Sequence, residues 1–216
     1  MGKALLVDFG GVLTTPVAPA FRTFCVEHEI PPGVLKALFV EAYADPSGTG
    51  STLIAEVETG RISTASFNAR LAAALQEHTG RTIPENGLIQ GIVSRLDLDD
   101  AMLRAVSSCR AQGVRVALVS NSLGDDRAST GYPDGLESLF DAVVISGEVG
   151  VRKPHPAIFE LAAGRLDMDP HACVFVDDVE SHVRAAERLG ITGVVHQERA
   201  ETIAALESLL EVRIEV

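Results

Sequence analysis

Lysine is scarce in this 216-residue chain: only Lys3, Lys36 and Lys153 occur, and arginine makes up the other 15 of 18 basic side chains. Thirty aspartates and glutamates outnumber them and leave a formal net charge of −12. So acidic a balance argues against nucleic acid or an anionic membrane as partner, because either contact wants a basic face. The preference for arginine points to a GC-rich bacterial genome and makes each lysine more informative. Long apolar runs are missing as well. None approaches the roughly 18 residues of a membrane span, and Val114 to Val119 is among the longest. The N-terminal stretch Lys3-Ala4-Leu5-Leu6-Val7 meets Asp8 too soon for a signal peptide. Cysteines are few and odd in number. Cys25, Cys109 and Cys173 stand in apolar surroundings, as expected of reduced core thiols in a cytoplasmic protein rather than a disulfide framework or a nucleophile.

With 46% hydrophobic and 22% charged residues, the chain has the composition of a soluble globular protein. A chain of this length buries about 70% of its extended surface, enough for one large domain or one domain carrying a smaller insert. Short β-branched runs at Ala4–Phe9, Val114–Ser120, Ala142–Ser146, Cys173–Val176 and Gly193–His196 predict strands. Helical spacing follows at Ala101–Gln112, Ala157–Ala163, Glu180–Leu189 and Glu201–Leu210. Strands alternating with helices of this length predict an α/β fold, a doubly wound parallel sheet covered on both faces.

One interval breaks the alternation. Between about Thr15 and Leu96 no strand is convincing, and helix-like stretches lie near Ala20–Glu29, Pro32–Ala44, Leu53–Glu58 and Ala65–Thr79. So long a span makes a poor crossover between two strands and a good helical insert over the carboxyl end of the first. The expected division is a core of 1–14 and 97–216 with an inserted α-helical cap of 15–96. Gly48-Thr49-Gly50-Ser51 follows no strand and lacks the glycine spacing of a phosphate loop, so it is read as a turn.

Ligands of open α/β sheets sit outside the carboxyl ends of the strands. Asp8 ends the first predicted strand, Ser120 and Asn121 the second, and Asp177 and Asp178 a later one, while Lys153 precedes the Ala157 helix. Each residue alone has a structural reading as helix N-cap, solvated acid or surface lysine. Together they compose one site with a nucleophile, a hydroxyl and amide cradle, a cation and a metal-binding carboxylate.

Asp8-Phe9-Gly10-Gly11-Val12-Leu13, Val119-Ser120-Asn121, Arg152-Lys153-Pro154 and Val176-Asp177-Asp178 resemble, in order, the four motifs of the haloacid-dehalogenase superfamily of hydrolases. Gly60-Arg61-Ile62-Ser63 with Phe67 is similar to the helical cap of the branch that includes the N-terminal phosphatase domain of soluble epoxide hydrolases. The resemblance implies a Rossmann-like core and a Mg²⁺-dependent phosphatase acting on a small phosphorylated metabolite. Asp8 would attack phosphorus and divide one hard displacement into two easier ones. Ser120 and the Asn121 amide would hold phosphoryl oxygens, and Lys153 would neutralise Asp8 and the transferring group. Asp8, Asp178 and the carbonyl of Gly10 would hold Mg²⁺, a cation suited to hard oxygen ligands. Asp177 is expected to cap the following helix or orient its loop.

The sequence departs from the family pattern at Gly10, where phosphatases carry a second aspartate as general acid and base. Such catalysis is worth about 10²–10⁴-fold, so three readings stay open. The chain is a phosphatase whose proton is handled by another group or by water; a dehalogenase, whose leaving halide needs no proton; or a non-catalytic descendant that binds a phosphorylated ligand or a protein. The acidic pair Asp177-Asp178 favours a retained metal over dehalogenation. His182, four residues after Asp178, is read as a polar helix residue, or else as a neighbour of the metal shell or a proton-handling group. Arg22, Arg61 and Arg70 are candidates to meet an anionic substrate. Substrate identity and oligomeric state are not legible in the sequence.

Overall fold

The computed structural model describes residues 2–44, 47–124 and 131–215. Five short runs form one parallel sheet, and its inner strands are apolar almost throughout because strands buried on both faces have no polar side to turn to water. The five are β1 (Ala4–Val7), β2 (Arg115–Ser120), β3 (Ala142–Ile145), β4 (Cys173–Asp177) and β5 (Thr192–Val195), in the spatial order β3-β2-β1-β4-β5. All four pairings are parallel, with Ala4 opposite Arg115 on one side and Cys173 on the other. The central strand β1 is the point where the chain, having laid β2 and β3 on one side, moves to the other. In such sheets that reversal opens the ligand crevice.

Period-two alternation divides the strand side chains between two cores. Leu5, Val7, Val116, Leu118, Val174 and Val176 face α6 (Asp100–Ala111) and α10 (Arg199–Leu210). Ala4, Leu6, Ala117, Val119 and Phe175 face α8 (Pro156–Arg165) and α9 (Glu180–Glu187). The observed bounds depart from the sequence reading by a few residues. β1 stops at Val7, because Phe9 to Leu13 turn and the Val12 and Leu13 amides bond back to the Phe9 carbonyl. A one-turn helix α7 (Ser146–Val149) follows β3 directly, too short to leave a period in the sequence.

Between β1 and α6 the described residues form no strand of the sheet, and they hold five helices: α1 (Val17–Glu27), α2 (Pro32–Ala44), α3 (Leu53–Glu58), α4 (Thr64–Thr79) and α5 (Leu88–Val93). Local chemistry starts two of them. The Thr52 hydroxyl accepts the Ala55 amide at α3 and the Ser63 hydroxyl accepts the Ser66 amide at α4, each satisfying a donor the first turn leaves open. The six-residue α5, with Gly91 inside it, escaped the sequence reading because it is shorter than two turns. These helices share a hydrophobic cluster of their own, built on Phe24, Leu35, Ile54, Val57, Phe67 and Leu75. At its margins the chain closes on itself: Thr14 and Leu98 form an antiparallel bridge, flanked by Thr15 N–Asp97 O at 2.7 Å and Asp99 N–Leu13 O at 2.9 Å. Among the described residues no helix is long and apolar enough to cross a membrane. Cys25, Cys109 and Cys173 are free and buried.

Candidate active site

Asp8 leaves the end of β1 with its amide bonded to the Val176 carbonyl of β4 at 3.0 Å. This pairing sets the first strand end beside the fourth and brings Asp8 to Asp177 and Asp178. One oxygen from each of the three carboxylates lies within 4.8 Å of the others. The turn after Asp8 makes room for this. Gly11 has φ +78°, and a Cβ there would stand 2.3 Å from Asp178 Oδ2. Only glycine tolerates both the left-handed backbone and that approach.

Lys153 is fully buried, and its ammonium lies 2.7 Å from Asp8 Oδ1 and 2.6 Å from Asp177 Oδ2. Its backbone is clamped by Asn121: Oδ1 accepts the Lys153 amide at 2.8 Å and Nδ2 donates to the Lys153 carbonyl at 3.1 Å. The peptide between Lys153 and Pro154 is cis. Asp177 is saturated with donors. Beyond Lys153 it accepts the Val179 amide at 2.8 Å on Oδ1, and His182 Nδ1 stands 3.2 and 3.1 Å from its two oxygens. His182 is buried at the start of α9, so its side chain meets the acidic pair through Asp177.

A single ammonium serves carboxylates on both sides, and the electrostatics divide accordingly. Lys153 and then His182 hold the Asp177 carboxyl well below the ordinary carboxylate range against the cost of its burial, and Lys153 is itself raised by Asp177 and Asp8. Burial pushes Asp8 up to about 7 despite its contact with Lys153, aided by the charges of Asp177 and Asp178. Burial and Asp177 push Asp178 up to about 6. When all three are ionised, the carboxylates outnumber the Lys153 ammonium and gather surplus negative charge in one crevice. Such a set of hard oxygen donors with surplus negative charge fits a small divalent cation.

Ser120 ends β2, nearly buried, and its Oγ accepts a hydrogen bond from the Tyr132 hydroxyl at 2.7 Å. Tyr132 rests its ring on Phe9, the residue after Asp8, with centroids 4.7 Å apart and planes tilted by 56°. Gly10 carries no side chain, and a Cβ there would meet only Val17 Cγ2 at 3.4 Å.

A buried ion pair borders the site where sequence reasoning saw nothing. Glu58, the last residue of α3, places Oε2 2.7 Å from Arg152 Nε, and both side chains are 1% exposed. Asn121 Nδ2 approaches the same Glu58 oxygen at 3.4 Å, and the Ser146 hydroxyl donates to the Glu58 carbonyl. The pair spans 94 positions of sequence, so the only hints were the acids of Ile54-Ala55-Glu56-Val57-Glu58 and the arginine of Arg152-Lys153-Pro154. The arginines named as substrate contacts lie otherwise engaged or exposed. Arg70 pairs with Glu56, Arg61 donates to the Gly50 carbonyl at 3.3 Å, and Arg22 is exposed. The Gly48 turn packs against His155, whose Nδ1 accepts the Ala157 amide and starts α8.

Comparison with known proteins extends this picture. The description of haloacid dehalogenase-like hydrolases matches residues 3–190. Acyl-CoA dehydrogenase family member 10 of Mus musculus is 28% identical over 211 residues, covering 96% of this chain and 19% of that protein. Bifunctional epoxide hydrolase 2 of Sus scrofa is 26% identical over 224 residues, covering 98% and 39%. Phosphoserine phosphatase of Thermus thermophilus is 32% identical over 90 residues, covering 41% and 36%. The chain thus spans less than half the length of each of these relatives. A Bacteroides thetaiotaomicron enzyme of the same superfamily, crystallised with magnesium and inorganic phosphate, superposes with a TM-score of 0.61 at 21% identity, covering 94% of this chain and 99% of that one. A dehalogenase with an intermediate complex superposes at 0.68 with 18% identity, covering 98% of each. At such identities the two structures share the fold alone.

Proposed function

Because the chain belongs to the haloacid dehalogenase-like hydrolase family, we propose that this hydrolase is a Mg²⁺-dependent phosphatase of small phosphate monoesters that works through an aspartyl-phosphate on Asp8. The observation that carries the reading is the Asp8 carboxylate, in contact with the Lys153 ammonium and within 4.8 Å of an Asp178 oxygen. Phosphatase-named relatives and a superfamily neighbour crystallised with magnesium and phosphate add weight.

Asp8, Asp178 and the Gly10 carbonyl are the groups that would hold Mg²⁺, which when bound supplies positive charge to the phosphoryl oxygens. Asp177 is left out of this set because Lys153, His182 and the Val179 amide already occupy its oxygens. In the forward step an Asp8 oxygen forms a bond to phosphorus while the ester P–O bond breaks and its electrons leave on the alcohol oxygen. Lys153 balances the charge that gathers on the transferring group, and the Ser120 hydroxyl and Asn121 amide bind its oxygens. Water then attacks phosphorus, the bond to Asp8 breaks, and the carboxylate returns with release of inorganic phosphate. With glycine at position 10, the leaving alcohol takes its proton from solvent rather than from that side chain. Residues 15–96 act as a cap that covers the crevice, selects the substrate and excludes water.

The test is phosphate release from p-nitrophenyl phosphate with and without Mg²⁺. Turnover that requires the metal and disappears in Asp8→Asn is the expected result. Gly10 favours a second reading, a descendant that binds a phosphorylated ligand without hydrolysing it. Folded, Mg²⁺-loaded protein that binds phosphate and never turns over would replace the first reading with the second.

A further inference from the structure

Ser120 has one proton to give, and the structure fixes where that proton does not go. A serine hydroxyl carries one donor and two acceptor positions. The Tyr132 hydroxyl donates to Ser120 Oγ across 2.7 Å, so one lone pair of Ser120 is filled from the side of the loop and its own O–H is left for another acceptor. Ser120 sits at the end of β2, 3% exposed, beside the strand that carries Asp8. The tyrosine is held in turn: its ring packs on Phe9 and on the core beneath the sheet. Two hydrogen bonds in series polarise one another, since a hydroxyl that accepts a bond becomes a stronger donor.

We propose that Tyr132 is a positioning residue of the phosphoryl-binding site, which orients and polarises the Ser120 hydroxyl so that it donates to an oxygen of the bound phosphoryl group. The inference rests on the phosphatase reading of the site and adds a residue to it. In this arrangement Tyr132 acts on the phosphoryl group through Ser120. Its contribution therefore exists only while the serine hydroxyl is present.

The experiment is a double-mutant cycle of Tyr132→Phe and Ser120→Ala. It is read both as kcat/KM for p-nitrophenyl phosphate and as affinity for inorganic phosphate in the presence of Mg²⁺. Phenylalanine keeps the ring on Phe9 and removes only the hydroxyl, so the fold is retained, and far-ultraviolet circular dichroism with thermal unfolding verifies this. Tyr132→Phe lowers both quantities about tenfold, the loss expected of one hydrogen bond of ordinary net strength. In the Ser120→Ala background the same change has no further effect.

Full activity and phosphate affinity in Tyr132→Phe overturns the proposal and leaves the phosphatase reading intact. An equal loss in both backgrounds also overturns it, because the tyrosine would then act on the substrate directly. A wild-type protein that turns over nothing yet binds phosphate ends the phosphatase reading, and the proposal is then decided by phosphate affinity alone. A wild type that neither hydrolyses nor binds phosphate overturns both.

Discussion

Gly10 stands two residues after Asp8, where a Cβ would meet nothing nearer than Val17 Cγ2 at 3.4 Å. The Cβ of an aspartate there would make only ordinary contact, and the position is a direct test of how the proton reaches the leaving group. Gly10→Asp raises turnover of alkyl phosphates by about 10²-fold, the lower end of what general acid catalysis contributes. It leaves p-nitrophenyl phosphate nearly unchanged, because that leaving group departs without a proton. Steady-state rates on both substrates check this, and an equal effect on the two removes proton transfer as the reason. Gly11 next to it behaves oppositely. Its positive φ and the Asp178 carboxylate at its Cβ position make Gly11→Ala disruptive to the pocket that Gly10→Asp leaves standing.

At the scale of elements, α3 is tied to the Lys153 loop by buried and half-buried groups. Glu58 meets Arg152, its carbonyl takes the Ser146 hydroxyl, and Asn121 links it to the backbone of Lys153. Gly60, just beyond α3 with φ +68°, lies so close to α7 that a Cβ would be 2.5 Å from the Gly147 carbonyl. Glu58→Ala leaves Arg152 buried without this carboxylate and costs about 3–5 kcal/mol, the usual penalty for breaking a buried pair from one side. The urea midpoint measures it, with an unchanged m value marking a loss of stability rather than of compactness. A cost below about 1 kcal/mol, ordinary for surface pairs, would mean that this contact does not fasten the helices to the sheet.

For the whole molecule, the acidic crevice sets a pH dependence. Asp8 and Asp178 titrate at about 7 and about 6 in the folded chain against an ordinary 3.8, so between 3.8 and those values the native state binds more protons than the unfolded one. Metal-free protein therefore loses stability at these groups as pH rises through that window. Asp177, shifted the other way, contributes stability that is lost only below 3.8. Mg²⁺ needs the ionised carboxylates and removes their repulsion, so the rise in Tm on adding Mg²⁺ is larger at pH 8 than at pH 5. Thermal unfolding at both pH values, with and without a chelator, checks it. A metal-induced shift that is equal at the two pH values, or absent from both, would count against a cation held by these acids.

Much of the fold was legible because its signals are local. The inner strands β1, β2 and β4 are buried on both faces and so read as short apolar runs, the edge strands β3 and β5 carry the same β-branched bias, and serine, threonine or aspartate marks the start of α3, α4 and α6. That Asp8, Ser120, Asn121 and Asp178 share one edge was legible because a parallel sheet sends every strand's carboxyl end there, while Lys153 comes to it from the loop before α8. Which of these groups touch was decided by tertiary structure. No spacing in the chain predicts that Lys153 divides itself between Asp8 and Asp177, that Tyr132 reaches Ser120, or that Glu58 finds Arg152. Such contacts depend on the pairing β2-β1-β4 and on the packing of α3 against α7. The strength of a charge also depends on them, since burial and neighbours drive Asp177 and Asp178, adjacent in sequence and identical in chemistry, to opposite sides of the ordinary carboxylate range.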